Sequence, residues 1–278
     1  MDTNAGTLLD VNGATIRVES RGSGPAIVFV HSGVTDSRMW NPQWDAFPDY
    51  RVVRYDLRGY GQSTLPPGPY AHHDDLRAVL DALTIPRAVL VAASMGGEVA
   101  LAFTLEHPDR VAGLVLVNTL AGIEAPSDHL RAGWRAMEEA LDRGDLDRAV
   151  EIELGMWLVG PHRSPDDVAP DIRNVVREMD LALLRRAGEH EGATERDPEP
   201  PVRERLGDFR CPVLVVQGAL DVDDARVSAE VLVTGIPEVR QAVIPDAAHL
   251  PSLEYPERFN ALVGEFLDTL PRPTDTVG

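Results

Sequence analysis

Residues 89–103 read VLVAASMGGEVALAF: a continuous apolar run stops at Ser94, small residues flank that serine, and an apolar helical pattern begins at once. Strand, sharp turn and helix around one serine is the nucleophile-elbow arrangement. Its turn is strained, and larger side chains beside the serine would meet neighbouring backbone. The string is Ala92-Ala93-Ser94-Met95-Gly96-Gly97, with alanine where the full G-x-S-x-G pattern has its first glycine. A helix N-cap serine is the plain alternative.

Outward from this stretch, short β-branched runs alternate with longer helical patterns, the signature of βαβ units and a mainly parallel sheet. TLLDVNGATIRVES reads as an opening hairpin turned at Asn12-Gly13, followed by AIVFVH, RVVRYD, AVLVAAS, VAGLVLVN, PVLVVQG and RQAVIP. Most of these are continuously apolar, as strands buried on both faces are. Asp74 to Leu83, Gly96 to Glu106 and Pro256 to Leu270 carry helical spacing. The alternation breaks after Asn118 and resumes at Pro212. The reading therefore divides the chain into a core, 1–121 and 209–278, and an inserted helical cap with its linker, 122–208, the cap following strand 6. The last residues, PRPTDTVG, read as a frayed tail.

A serine hydroxyl needs an adjacent base. His249 follows the run RQAVIP in the loop DAAHLPSLEYP, at the carboxyl edge of the expected sheet. Six other histidines, His72, His73, His107, His129, His162 and His190, sit in helical or polar contexts and read as surface or packing residues. The imidazole in turn needs a carboxylate to hold one tautomer. Asp221 ends PVLVVQGALD, and Asp223 and Asp224 lie close enough to substitute. A calcium loop starting there is rejected because its sixth and twelfth positions are Arg226 and Leu232. AIVFVHSGVTDSRMW supplies an oxyanion hole: the backbone N–H of Gly33 is one expected donor and that of Met95 the other, with His31 bracing the loop.

The chain has 45 acidic against 26 basic residues, every basic one is Arg, and the net charge is −19. No basic stripe is present for nucleic acid, and the acidic balance favours neutral or cationic partners over polyanions. The amino terminus MDTNAGTLLD lacks a basic region and an apolar run, and the single Cys211 reads as core packing. The reading expects a cytoplasmic protein, monomer or homodimer, acting on a small molecule without membrane or nucleic-acid partners. No Walker loop, G-x-G-x-x-G, HExxH or cysteine pair calls for a metal or cofactor, so none is expected.

With these residues assembled, the chain resembles the α/β-hydrolase superfamily along nearly its whole length. The resemblance rests on the order Ser94, Asp221, His249, on HSG at His31, DLRGYGQS from Asp56 to Ser63, SMGG at Ser94 and GALD at Asp221. It implies an eight-stranded, mostly parallel sheet with helices on both faces. It also implies an acyl-enzyme serine hydrolase cleaving an ester, lactone or related acyl bond of a small apolar or neutral molecule. Bacterial 3-oxoadipate enol-lactonases and carboxylesterases are the most similar subgroups, with carbon–carbon bond hydrolases beside them. A cyclase or lyase on the same fold, or a low-turnover ligand receptor, are the rival readings. Ala92 and Ser32 depart from the family's glycines. Trp134, Met137, Met156, Trp157 and Leu158 in the cap could line an acyl pocket or simply pack, and none is named as a site.

Overall fold

The apolar runs pair side by side because, buried on both faces, their backbone groups have only each other as hydrogen-bond partners. In the computed structural model, which describes residues 6–186 and 192–271, ten strands form. They are β1 (Thr7–Val11), β2 (Ala14–Arg21), β3 (Ala26–Val30), β4 (Arg51–Tyr55), β5 (Gly68–Tyr70), β6 (Ala88–Ala93), β7 (Val111–Val117), β8 (Ala193–Glu195), β9 (Val213–Gly218) and β10 (Val239–Ile244). Eight of them make one sheet in the order β1-β2-β4-β3-β6-β7-β9-β10. The β1–β2 and β2–β4 pairs are antiparallel and the others parallel. The first hairpin turns where the sequence places it, with positive φ at both Asn12 and Gly13.

Helices α1 (His72–Ala82), α2 (Met95–Glu106) and α6 (Asp223–Gly235) cover one face. There Leu76, Leu101 and Leu232 pack with Val28, Leu90 and Val215. On the other face α8 (Pro256–Asp268), with Phe259 and Phe266, closes over Ile27, Phe29, Val91 and Val216 beside Trp40. Alternate residues of one strand thus enter different cores. Large residues such as Trp40, Phe29 and Phe259 are fully enclosed, each worth about 2–3 kcal/mol of burial. Cys211 is buried and its thiol is pushed up to about 11 by burial, as core packing requires. None of the described helices is long and apolar enough to cross a membrane.

The inserted region carries α3 (Asp128–Asp142), α4 (Leu146–Glu153) and α5 (Pro170–Arg185). Three features depart from the sequence reading. The pattern through Val159 is not one regular helix, since α4 runs into a π-helical turn, Leu154–Val159, that ends at Gly160 with φ 76°. β8 lies in the stretch read as a linker and pairs in parallel with β5, Gly68 opposite Ala193, a three-residue match too short to leave a periodic signal. The return to the core also begins before Asp208. In the 3-10 helix Val202–Asp208, Val202 and Leu206 join the α2 side of the core, two apolar anchors hidden in a charged, proline-rich string. The tail from residue 272 onward and His190 lie outside the described residues.

Candidate active site

Chain order and space part company at the centre of the sheet. β3 is flanked by β4 on one side and β6 on the other, so the loops leaving β3 and β6 diverge and open a crevice at their carboxyl ends. Ligands of open α/β sheets bind at such a point. Ser94 stands there with φ 51° and ψ −119°, a conformation non-glycine residues rarely adopt. The turn is held from both sides: Ser94 N–H donates to the Val117 carbonyl at 2.8 Å, and Gly97 N–H donates to the Ser94 carbonyl at 2.8 Å. The glycines are needed for space, since a Cβ on Gly96 would fall 2.4 Å from the His31 carbonyl oxygen and one on Gly97 only 1.9 Å from Thr119 Oγ1. Ala92, where the fuller pattern has glycine, is a buried strand residue opposite Val30 and Leu116, a position with room for one methyl.

β9 and β10 are parallel neighbours, and the loops that follow them nest together; a Cβ on Gly218 would fall 1.9 Å from the Ala248 carbonyl oxygen. This close fit brings Asp221 to His249. His249 Nδ1 lies 2.6 Å from Asp221 Oδ2, and His249 Nε2 lies 2.8 Å from Ser94 Oγ. A carboxylate can only accept, so the proton belongs on Nδ1 and the lone pair of Nε2 faces the serine hydroxyl. The second oxygen of Asp221 accepts the Val222 N–H at 2.7 Å, so this buried carboxylate has both oxygens occupied. Asp223 and Asp224 take other places: Asp223 is largely exposed, and Asp224 Oδ1 accepts the Ser127 N–H at 2.7 Å.

His31 is fully buried. Its Nε2 accepts the Leu57 N–H at 2.9 Å and its Nδ1 sits 2.8 Å from the Ser32 carbonyl, so it ties the loop after β3 to the loop after β4. Burial, against weaker opposing contributions, lowers its pKa and keeps it neutral. Gly33 lies over the elbow, where a Cβ would be 3.7 Å from Met95 Sδ and 3.9 Å from the Tyr60 hydroxyl. Among the described residues neither the Gly33 nor the Met95 N–H has an acceptor, and both lie in the segments that follow β3 and β6 next to Ser94.

Several supports carried no sequence signal. Asn118 takes φ 45° at the end of β7; its Nδ2 donates to the Ala248 carbonyl at 2.9 Å and its Oδ1 accepts the Gly218 N–H at 3.1 Å, binding the two loops that hold Asp221 and His249. Arg163 pairs with Glu254, both buried, and donates to the carbonyls of Leu158 (2.6 Å), Val159 (2.7 Å) and Asp246 (3.0 Å). Glu254, in the one-turn helix α7 (Pro251–Glu254), accepts the Ala248 N–H at 3.0 Å. His249 N–H donates to the Trp157 carbonyl at 3.2 Å, and the two rings pack with centroids 4.6 Å apart. The π-helical turn is therefore pinned to the histidine loop.

Of the cap residues singled out in the sequence, Met156 and Trp157 pack with Val34 and Val222, neighbours of Gly33 and Asp221, with Trp134 partly buried against them. Leu158 goes instead into the core beneath. Among the described residues His73, Asp74 and Glu106 hold ligand atoms within 4.8 Å of one another, a half-exposed group apart from Ser94, with His73 already paired to Glu106 at 3.3 Å.

Comparison with known proteins identifies the family and the fold. A family model described as alpha/beta hydrolase fold matches residues 25–256. 3-Oxoadipate enol-lactonase 2 of Acinetobacter baylyi is 30% identical over 249 residues, covering 86% of this chain and 87% of its own. A thermophilic esterase of Thermogutta terrifontis superposes with TM-score 0.76 at 29% identity, over 95% of this chain and 97% of that one. The enol-lactonase of Burkholderia xenovorans gives TM-score 0.77 at 26% identity, over 94% and 100%.

Proposed function

The chain belongs to the alpha/beta hydrolase fold family, where it is an ester or lactone hydrolase at family level, and from that premise we propose that it works through an acyl-enzyme on Ser94. The observation that carries this reading is the unbroken row Asp221, His249, Ser94 ending on a serine in strained backbone. Ser94 Oγ attacks the substrate carbonyl carbon while its proton passes to His249 Nε2, and the carbonyl π pair moves onto oxygen. The Gly33 and Met95 N–H groups receive that oxyanion. Collapse expels the alkoxide, which takes the proton from His249. Water then attacks the acyl carbon with His249 as base, and the second collapse returns Ser94 and releases the acid. Asp221 holds the imidazolium through Nδ1. Helices α3 to α5 act as a cap over the crevice, with Trp157, Met156 and Val34 as its apolar wall.

A serine-directed fluorophosphonate, followed by peptide mass spectrometry, tests the assignment alongside a panel of short p-nitrophenyl esters. Labelling at Ser94 that His249→Ala abolishes is the expected result. A folded protein that binds small ligands tightly but neither labels nor turns over would replace the hydrolase reading with that of a receptor.

A further inference from the structure

A planar trans peptide sets the N–H of one residue opposite the C=O of the residue before it. The direction of the Gly33 N–H is therefore decided by the Ser32 carbonyl. That carbonyl accepts the Thr35 N–H at 3.2 Å and the Nδ1–H of His31 at 2.8 Å, the proton being on Nδ1 because Nε2 accepts from Leu57. The other polar groups of Ser32 are also taken. Its N–H, buried and beyond the end of β3, donates to Met39 Sδ at 3.4 Å. Its Oγ lies 2.9 Å from Thr35 Oγ1, and the Thr35 hydroxyl lies 3.0 Å from the same sulfur and 3.2 Å from the Ser32 carbonyl. A hydroxyl has one proton to give, and the carbonyl already has two donors. The arrangement that satisfies every atom is Ser32 O–H to Thr35 Oγ1 and Thr35 O–H to Met39 Sδ.

Met39 is a fixed acceptor. It is fully enclosed in the 3-10 helix Ser37–Gln43, and Asp36 holds the first N–H groups of that helix: its carboxylate accepts the Arg38 N–H at 2.9 Å and its carbonyl the Met39 N–H at 3.0 Å. On the opposite side Gly33 rests on Met95, whose Sδ accepts the Tyr60 hydroxyl at 3.4 Å. A thioether is a weak acceptor, yet taking the sulfur out of Met39 would orphan a buried N–H and a buried O–H together. Ser32 stands where the α/β-hydrolase pattern has glycine, and its hydroxyl begins a chain of bonds that glycine could not start.

Resting on the reading of Ser94 as the nucleophile and Gly33 as an oxyanion donor, we propose that Met39, acting through Ser32 and Thr35, is a positioning residue that aims the Gly33 N–H at the oxyanion. Met39 touches no substrate. It keeps the Ser32–Gly33 peptide in one orientation before the substrate arrives, so that the charge of the transition state meets a donor already in place.

The test uses the full chain and the best ester of the p-nitrophenyl panel, with the alkylboronic acid that matches its acyl chain as a tetrahedral mimic on Ser94. Met39→Leu keeps the volume and removes the acceptor. It should lower kcat about 10–100-fold with KM within about threefold, because a misplaced donor slows chemistry more than binding. The boronic acid should weaken by the same factor as kcat/KM. Met39→Gln returns an acceptor oxygen at similar reach and should be at least about threefold faster than Met39→Leu, while Thr35→Val, a milder change, should lose about three- to tenfold. Met39→Leu as active as the parent, or more active than Met39→Gln, would leave Met39 as packing and overturn the proposal; so would a loss confined to thermal stability or to KM. If Met39→Leu does not fold, Thr35→Val decides by the same comparison of kcat with boronic-acid affinity. Failure of the fluorophosphonate to label Ser94 in the unsubstituted protein would remove the nucleophile and the oxyanion hole with it, whereas normal labelling beside an unchanged Met39→Leu removes the brace alone.

Discussion

Asp221 and Asp180 are both buried aspartates, and the protein treats them in opposite ways. Asp221 has an imidazole on one oxygen and a backbone N–H on the other. Asp180 has no partner on Oδ2 and the charge of Glu153 nearby, and burial followed by that charge pushes its carboxyl up to about 8. A fully paired carboxylate orients its neighbour; an unpaired one stores an unfavourable interaction. The carboxylate at the sheet edge is thus fully paired, whereas the one in the cap keeps an oxygen without a donor.

Four measurements press on that contrast, the first at its root. Ser94→Ala should lower kcat by about 10³–10⁶-fold with an unchanged circular dichroism spectrum, because the residual rate comes only from binding and the oxyanion donors. A near-normal rate would remove the pre-built site altogether. Next, Asp221→Asn should cost about 10²–10⁴-fold in kcat by reversing the imidazole tautomer, while exposed Asp223→Asn should change it less than about twofold. The opposite order would transfer the pairing role from Asp221 to Asp223.

Arg163→Gln probes whether the pinning of cap to histidine loop matters for geometry. It removes donors to three carbonyls and the partner of buried Glu254. The expected loss is about 10–100-fold in kcat with a smaller change in KM, since a displaced base slows chemistry more than binding. A loss confined to thermal stability would leave the clamp purely structural.

The smallest effect is in stability. The folded state holds a proton on Asp180 that the unfolded chain releases in the ordinary carboxylate range, so this group's contribution falls as pH rises and levels off above about 8. Asn cannot titrate. Urea denaturation should therefore find Asp180→Asn more stable than the parent by about 2 kcal/mol at pH 8, with a smaller gap at pH 5. A gap that shrinks as pH rises would mean that Asp180 has a hidden partner.

The strands, the elbow serine and the histidine were legible because each has a local cause. Apolar runs specify strands buried on both faces, and Gly96 and Gly97 mark the places where α2 crosses β3 and Thr119 without room for a Cβ. Ambiguity among Asp221, Asp223 and Asp224 was genuine, since all three lie within six residues of the end of one strand and only the nesting of Gly218 against Ala248 selects the one that reaches His249. Asn118, Arg163 and Glu254 were silent for a related reason: their partners lie 130, 83 and 6 residues away, and no periodicity records such distances.

Sequence by itself determined the sheet, the family and the serine and histidine, because hydrophobic period and steric room are properties of neighbouring residues. Tertiary structure alone decided which carboxylate meets the imidazole, how the π-helical turn leans on the histidine loop, and that Asp180 Oδ2 is left without a donor among the described residues. Those depend on what arrives from elsewhere in the chain, and pairing or its absence exists only once the chain has closed on itself.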